Sequence, residues 1–362
     1  MRPWVPEYIE SLKPYVPGKP IAETRREYGL SDVIKLASNE NPLGPSKAAL
    51  AALRDSATTL ELYPDGTCHD LVQALAKHLG RSPAEIFVGS GSNEIIELLI
   101  RTFTVPEDTA LLCRGSFLMY KVALQAHGRN FVEIPMRDGF AYDLTAMAER
   151  LRDKPRLVFL ANPDNPTGTA FGRAELEVFL AQVSPETLVI LDEAYFEYVR
   201  WAEYPNGLDY LQRMRNLVVL RTFSKIYGLA GARVGYGVMH PELVGYLHRT
   251  RMPFNVASVS QAAGLAALGD GDHVKATREL NLESLEYFEQ ELTGIGLNVP
   301  KSHANFVFVD FGRPAGPLYE ALLQKGIITR PVQGYGFPNA LRISTGLPEQ
   351  NRRCVAALKS VL

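Results

Sequence analysis

Residues 187–195 read TLVILDEAY, four apolar residues closed by an aspartate. A short continuous apolar run with polar residues at its end is what a strand buried on both faces looks like in sequence. The same design occurs just before it, where RLVFLA (156–161) runs into NPDNPTG (162–168), and again after it, where NLVVL (216–220) runs into RTFSK (221–225). Working outward, EIFVG (85–89), TALLC (109–113) and NFVEI (130–134) add three more such runs, and segments 93–101, 117–127, 144–151 and 174–182 carry apolar residues at helical spacing between them. Strand and helix alternating at this rhythm predict an α/β fold with a mostly parallel central sheet between helices.

The last third has a different texture. A long helical stretch over 270–292 is followed by ANFVFVD (304–310), a helix near 317–325, a short run at 327–329 and LRIS (341–344), which together predict a smaller α+β lobe. The proline-containing N-terminal arm has too little pattern for a domain of its own. We therefore expect an arm over 1–45 packing on the small lobe, a large domain over 46–268, and the small domain over 269–362.

Composition narrows the function classes. In 362 residues, 38 Lys and Arg face 40 Asp and Glu, so there is no global positive charge of the kind that binds nucleic acid. Residues 1–20 lack the apolar core of a signal peptide, and the apolar runs elsewhere are far shorter than the roughly 20 residues that cross a bilayer. A cytoplasmic protein is expected, with neither a nucleic-acid nor a membrane partner. Cys68, Cys113 and Cys354 are widely spaced, with no CxxC pair. They read as packing residues, and no metal site is expected.

In an open parallel sheet, ligands bind outside the carboxyl ends of the strands, so the three polar clusters that close the central runs converge on one crevice. Asp192 is costly to bury ionised unless a cation meets it; the alternative is a helix N-cap. Lys225 poses the same problem with opposite sign. In a partly dry pocket near other cations it becomes an amine nucleophile for a carbonyl, whereas on the surface it would merely snorkel. Arg233, with the hydroxyls of Thr222 and Ser224 and the glycine-rich backbone between, suits a phosphate. A second anion seat is the turn VGSGSNE (88–94), where a strand meets a helix N-terminus. A cofactor carrying a phosphate, an aldehyde for the lysine and a basic ring nitrogen for the aspartate meets all these demands, and pyridoxal 5'-phosphate is such a cofactor.

The chain resembles the fold-type I pyridoxal-phosphate aminotransferases, and within them the histidinol-phosphate aminotransferase family. The stretches that carry the resemblance are LASNENPLGP (36–45), YPDG (63–66), GSGSNEII (89–96), NPDNPTG (162–168), DEAY (192–195), TFSKIYGLAGARVGY (222–236), MPFNV (252–256), ANFVFV (304–309), RPV (330–332) and LRISTG (341–346). The resemblance implies that Lys225 binds the cofactor as a Schiff base and moves the proton, and that Asp192 keeps the pyridine nitrogen protonated. Asn165 and Tyr195 would bond the phenolic oxygen, and Tyr120 would stack on the ring, although its segment reads RGSFLMY where the family often has a PTY.MY-like one. Ser92, Asn93, Thr222, Ser224 and Arg233 would hold the phosphate, joined by Tyr63 from a neighbouring subunit. Arg330 and Arg342 would receive substrate anions, with Tyr15 and Asn39 at the same end.

The activity so implied is transamination of histidinol phosphate with 2-oxoglutarate to imidazole-acetol phosphate and glutamate, a step of histidine biosynthesis, by a homodimer with shared sites. The alternatives are an aromatic amino-acid aminotransferase and a phosphoamino-acid decarboxylase of the same fold. A cofactor-binding regulator would need a DNA-binding module, for which the short stretch before the first family-like segment is expected to leave no room.

Overall fold

The computed structural model describes residues 4–14 and 18–362. Its strands are β1 (Ile34–Lys35), β2 (Ile86–Gly89), β3 (Thr109–Cys113), β4 (Asn130–Ile134), β5 (Leu157–Ala161), β6 (Leu188–Asp192), β7 (Leu217–Thr222), β8 (Gly235–Met239), β9 (Phe306–Asp310), β10 (Ile327–Ile328), β11 (Arg330–Pro331) and β12 (Ala340–Ser344). Seven of them form one sheet in the order β2-β8-β7-β6-β5-β3-β4. The five from β7 to β4 run parallel, as the apolar runs predict. Strand β8 is antiparallel to both its neighbours.

Residues of β5, β6 and β7 are buried throughout, which is why their sequences show no alternation of apolar and polar positions. Register places Ala161 beside Asp192 and Asp192 beside Leu220, so the carboxyl ends of the three central strands lie level. The polar segments that follow them therefore emerge on one edge. Sequence periodicity misses β8, GYGVM, because glycine weakens the strand signal. The glycines are needed for packing: a Cβ on Gly235 would lie 2.7 Å from the amide nitrogen of Ser92, so β8 passes under the 91–92 turn only with a bare backbone there.

The largest apolar cluster runs from Ala49 to Ala267 and includes Cys68 and Cys113; Ala304 and Phe306 also join it. A second cluster joins Ile34 and Leu36 to residues from Phe288 to Leu358, among them Cys354. Around it β9, β11 and β12 make a small antiparallel sheet, and β1 of the N-terminal segment pairs in parallel with β10. The helices Ser258–Leu268 and Gly271–Thr293 meet at residues 269–270, between the two clusters. Among the described residues no helix is long and apolar enough to cross a membrane.

Candidate active site

The cleft at the carboxyl edge of the sheet is lined by Ser92, Asn93, Phe117, Tyr120, Asn165, Asp192, Tyr195, Thr222, Ser224, Lys225 and Arg233, among others. An adjoining cavity is lined by Asn39, Arg330 and Arg342, and shares Asn93, Phe117, Asn165 and Lys225 with the first. Two candidates do not meet there. Tyr63 is 82% exposed, outside the cleft of its own chain, with its ring stacked on Phe254 at 4.7 Å. Tyr15 lies outside the described residues.

At one end of the cleft, Gly91 has φ +78°, in the region glycine favours, and delivers the chain into the helix Ser92–Phe103. A Cβ on Gly91 would lie 2.4 Å from Nη2 of Arg233, so the guanidinium fills the space that the missing side chain leaves. Arg233 donates to Ser224 Oγ at 3.4 Å and to the Ala230 carbonyl at 3.0 Å. Thr222 Oγ1 accepts from the Ser224 amide at 3.1 Å, which shapes the turn between β7 and Lys225. A helix N-terminus, a guanidinium and two hydroxyls thus face one small volume.

At the other end, Asp192 is 5% exposed. Burial pushes its carboxyl pKa up, opposed by the Tyr120 hydroxyl, which donates to Oδ2 at 2.7 Å, by the Ala194 amide, which donates to Oδ1 at 3.1 Å, and by the charge of Lys225. Asp192 is not a helix N-cap, since the 3-10 turn Phe196–Tyr198 starts from Tyr195 instead. Between the two ends, burial together with the charges of Arg342 and Arg233 brings the Lys225 amine down to about 8. Its Nζ donates to the Ser38 carbonyl at 3.4 Å and lies 5.8 Å from the centre of the Tyr195 ring.

Residues of β12 and of the segment after β1 complete the site. Arg342 donates to Asn165 Oδ1 at 2.5 Å and to the Ala37 carbonyl at 2.7 Å, and Asn39 Nδ2 donates to the Tyr195 hydroxyl at 2.9 Å. Arg330 of β11 stands directly opposite Arg342 of β12 in the antiparallel pair.

Phe117 is the residue that sequence reasoning passes over. Tyr120 lines the cleft, but its ring is stacked on Phe159 at 4.7 Å and its hydroxyl is engaged by Asp192. Phe117, edge-on to Tyr120, faces both cavities where they join. The quoted RGSFLMY segment contains it, yet an aromatic residue without a polar atom carries no signal that separates it from core.

This crevice, with its lysine, aspartate and anion cradle at the strand ends, goes with a family match: the chain belongs to the class I and II aminotransferases, whose model spans residues 31–358. It is 54% identical to a histidinol-phosphate aminotransferase of an Anaeromyxobacter species over 99% of both chains. A histidinol-phosphate aminotransferase of Moorella thermoacetica is 47% identical over 98% of this chain and 92% of its own. The solved structure of histidinol-phosphate aminotransferase from Sinorhizobium meliloti in complex with pyridoxal-5'-phosphate superposes with a TM-score of 0.91, at 31% identity, over 100% of this chain and 98% of that one.

Proposed function

We propose that the protein transfers an amino group between histidinol phosphate and 2-oxoglutarate, giving imidazole-acetol phosphate and glutamate, with pyridoxal 5'-phosphate as cofactor. The observation that carries this reading is the sharing of Asn93, Phe117, Asn165 and Lys225 between the cleft that holds Asp192 and the cavity that holds Arg330 and Arg342. A reactive amine thus stands between a cofactor-sized site and a paired-arginine anion site.

The donor set fits the cofactor. The cradle at Gly91, Ser92 and Arg233 suits its phosphate, the buried Asp192 its ring nitrogen, and the Lys225 amine its aldehyde. When bound, the cofactor supplies an electron-withdrawing ring conjugated to the substrate's carbon–nitrogen bond. Ser92, Asn93, Thr222, Ser224 and Arg233 hold the phosphate. Asp192 keeps a proton on the ring nitrogen, with Tyr120 and the Ala194 amide holding its carboxylate in place. Asn165 and Tyr195 bond the phenolic oxygen, and Phe117 covers the ring. Lys225 Nζ, once free, would take the proton from the substrate carbon and return it on the far side of the nitrogen. Arg330 and Arg342, with Asn39, fix the substrate's anionic group, a phosphate in one half of the reaction and a carboxylate in the other.

In this reading residues 46–268 form the cofactor domain, and residues 269–362 with the 1–45 arm bring the anion-binding side chains to it. The active unit is a homodimer in which Tyr63 reaches the neighbour's phosphate. The exposure of Leu60, Leu62, Tyr63, Met252 and Phe254, with Tyr63 stacked on Phe254, supports a contact surface there. The deciding experiment mixes purified holoenzyme with histidinol phosphate, phenylalanine, tyrosine or glutamate singly and follows the cofactor's visible band. Conversion by histidinol phosphate and glutamate is expected. Equal or faster conversion by phenylalanine or tyrosine than by histidinol phosphate would make this an aromatic amino-acid aminotransferase.

A further inference from the structure

Strand β12 carries Ser344 two residues beyond Arg342, on the same face. Ser344 is buried, and its hydroxyl is spent on Asn39: Oγ accepts from the Asn39 amide N–H at 2.8 Å and donates to Asn39 Oδ1 at 2.9 Å. A serine hydroxyl has one proton to give. Because that proton goes to Oδ1, the Asn39 carboxamide is fixed with its Nδ2 end toward Tyr195, to whose hydroxyl it donates at 2.9 Å. The Tyr195 oxygen is an acceptor on that side, and its own proton is left for the cleft.

The Asn39 backbone is held as firmly as its side chain. Its φ of 56° is in the left-handed region, uncommon outside glycine, and its carbonyl accepts from Asn305 Nδ2 at 3.0 Å. With the main chain fixed, the remaining freedom is a flip of the carboxamide about its terminal torsion. Such a flip would present Oδ1 to Tyr195 and draw the tyrosine proton back out of the cleft.

We propose that Ser344 is a positioning residue that sets the direction of the hydrogen-bond chain Ser344, Asn39, Tyr195, so that Tyr195 donates into the cleft. The inference rests on the reading that Tyr195 meets the phenolic oxygen of pyridoxal phosphate. A donor there stabilises negative charge on that oxygen. Its withdrawal therefore raises the pH at which the bound cofactor's visible band changes.

The test is a pH titration of that band in holoenzymes of the wild type, Ser344→Ala, Ser344→Thr, Tyr195→Phe and the Ser344→Ala/Tyr195→Phe double variant. Thermal unfolding is followed in parallel to register any purely structural cost. Ser344→Ala is expected to raise the midpoint by about one unit, a typical worth for a hydrogen bond to a charged group. Ser344→Thr, which keeps the hydroxyl, should restore the wild-type midpoint, and the double variant should match Tyr195→Phe alone. Should Ser344→Ala fail to fold, Ser344→Cys weakens both bonds at similar volume and is expected to shift the midpoint in the same direction. A raised midpoint in Tyr195→Phe with none in the Ser344 variants overturns the inference, as does a double variant whose shift is the sum of the two. An unmoved midpoint in Tyr195→Phe itself overturns the placement of Tyr195 at the phenolic oxygen, and the inference with it.

Discussion

The Tyr120 hydroxyl donates to Oδ2 of Asp192 at 2.7 Å, from a side chain that is itself 1% exposed. Behind Asp192, the ring-nitrogen partner of the proposed reading, stands a buried donor that favours the ionised carboxylate against the cost of its burial. Tyr120 therefore serves the charge of Asp192, and its ring completes the wall with Phe159.

From this follows a prediction for Tyr120→Phe. Burial raises the Asp192 pKa and the Tyr120 bond holds it down, so removing the hydroxyl lets it rise further. Asp192 must be ionised to pair with a protonated ring, hence cofactor affinity falls as pH drops through that pKa. The fall should begin about one to two units higher in Tyr120→Phe, the equivalent of about 1.5–3 kcal/mol for a hydrogen bond to a charge. Cofactor titrations across the acid range read it directly, and superimposable curves would remove Tyr120 from this role.

Lys225 carries its own pH signature. Its amine is brought down to about 8 from 10.5 in the fold, so the cofactor-free protein should take up pyridoxal phosphate at a rate that climbs through pH 8 and then levels. Between those two values the unfolded chain binds more protons at this lysine than the folded one, so its burial penalty on stability is relieved as pH rises across that window. Borohydride reduction of the holoenzyme should label the peptide containing Lys225, and Lys225→Ala should lose turnover by several powers of ten while retaining the cofactor through its phosphate seat. A label on Lys121 or Lys301 would contradict the assignment.

In the proposed reading Arg330 distinguishes substrates. A phosphate monoester offers up to two charges and three acceptor oxygens, whereas a carboxylate offers one and two. Arg330→Ala should cost histidinol phosphate about 2–4 kcal/mol in kcat/KM and an unphosphorylated aromatic amino acid less. The ratio of the two losses cancels general damage to the fold; a ratio of one would sink the phosphate assignment.

Sharing of sites is tested by mixing. If Tyr63 serves the neighbour's phosphate, combining Lys225→Ala with Tyr63→Phe subunits yields hybrids in which one site carries both lesions and the other neither. Activity above that of both parents is the expected result, and a simple average would exclude the shared site.

Much of the architecture is legible because burial leaves a plain mark: β5, β6 and β7 are unbroken apolar runs, and the charged or polar residues that close them are too costly there without a partner. Asp192 and Lys225 stand out on those grounds, and Arg233 by the hydroxyls and glycines that accompany it. What escapes the sequence lacks such a mark. Strand β8 is hidden by glycines whose purpose, room for the Ser92 turn, is a matter of packing. Phe117 and Ser344 are ordinary residue types whose significance lies in what they face. The resemblance already brings Arg330 and Arg342 to one end of the site, but their standing directly opposite each other is a fact of register that a spacing of twelve positions does not give.

That register has a thermodynamic sequel. Like charges directly opposed across an antiparallel pair repel, and here the pair is the short β11 against β12, with only two registered positions to hold it. In the proposed reading a substrate dianion between the two guanidinium groups would offset that repulsion and tie the two strands together. Part of the affinity for the anion would then be relief of a conflict set by the register, and the firmness of β11 against β12 would depend on what the enzyme is holding.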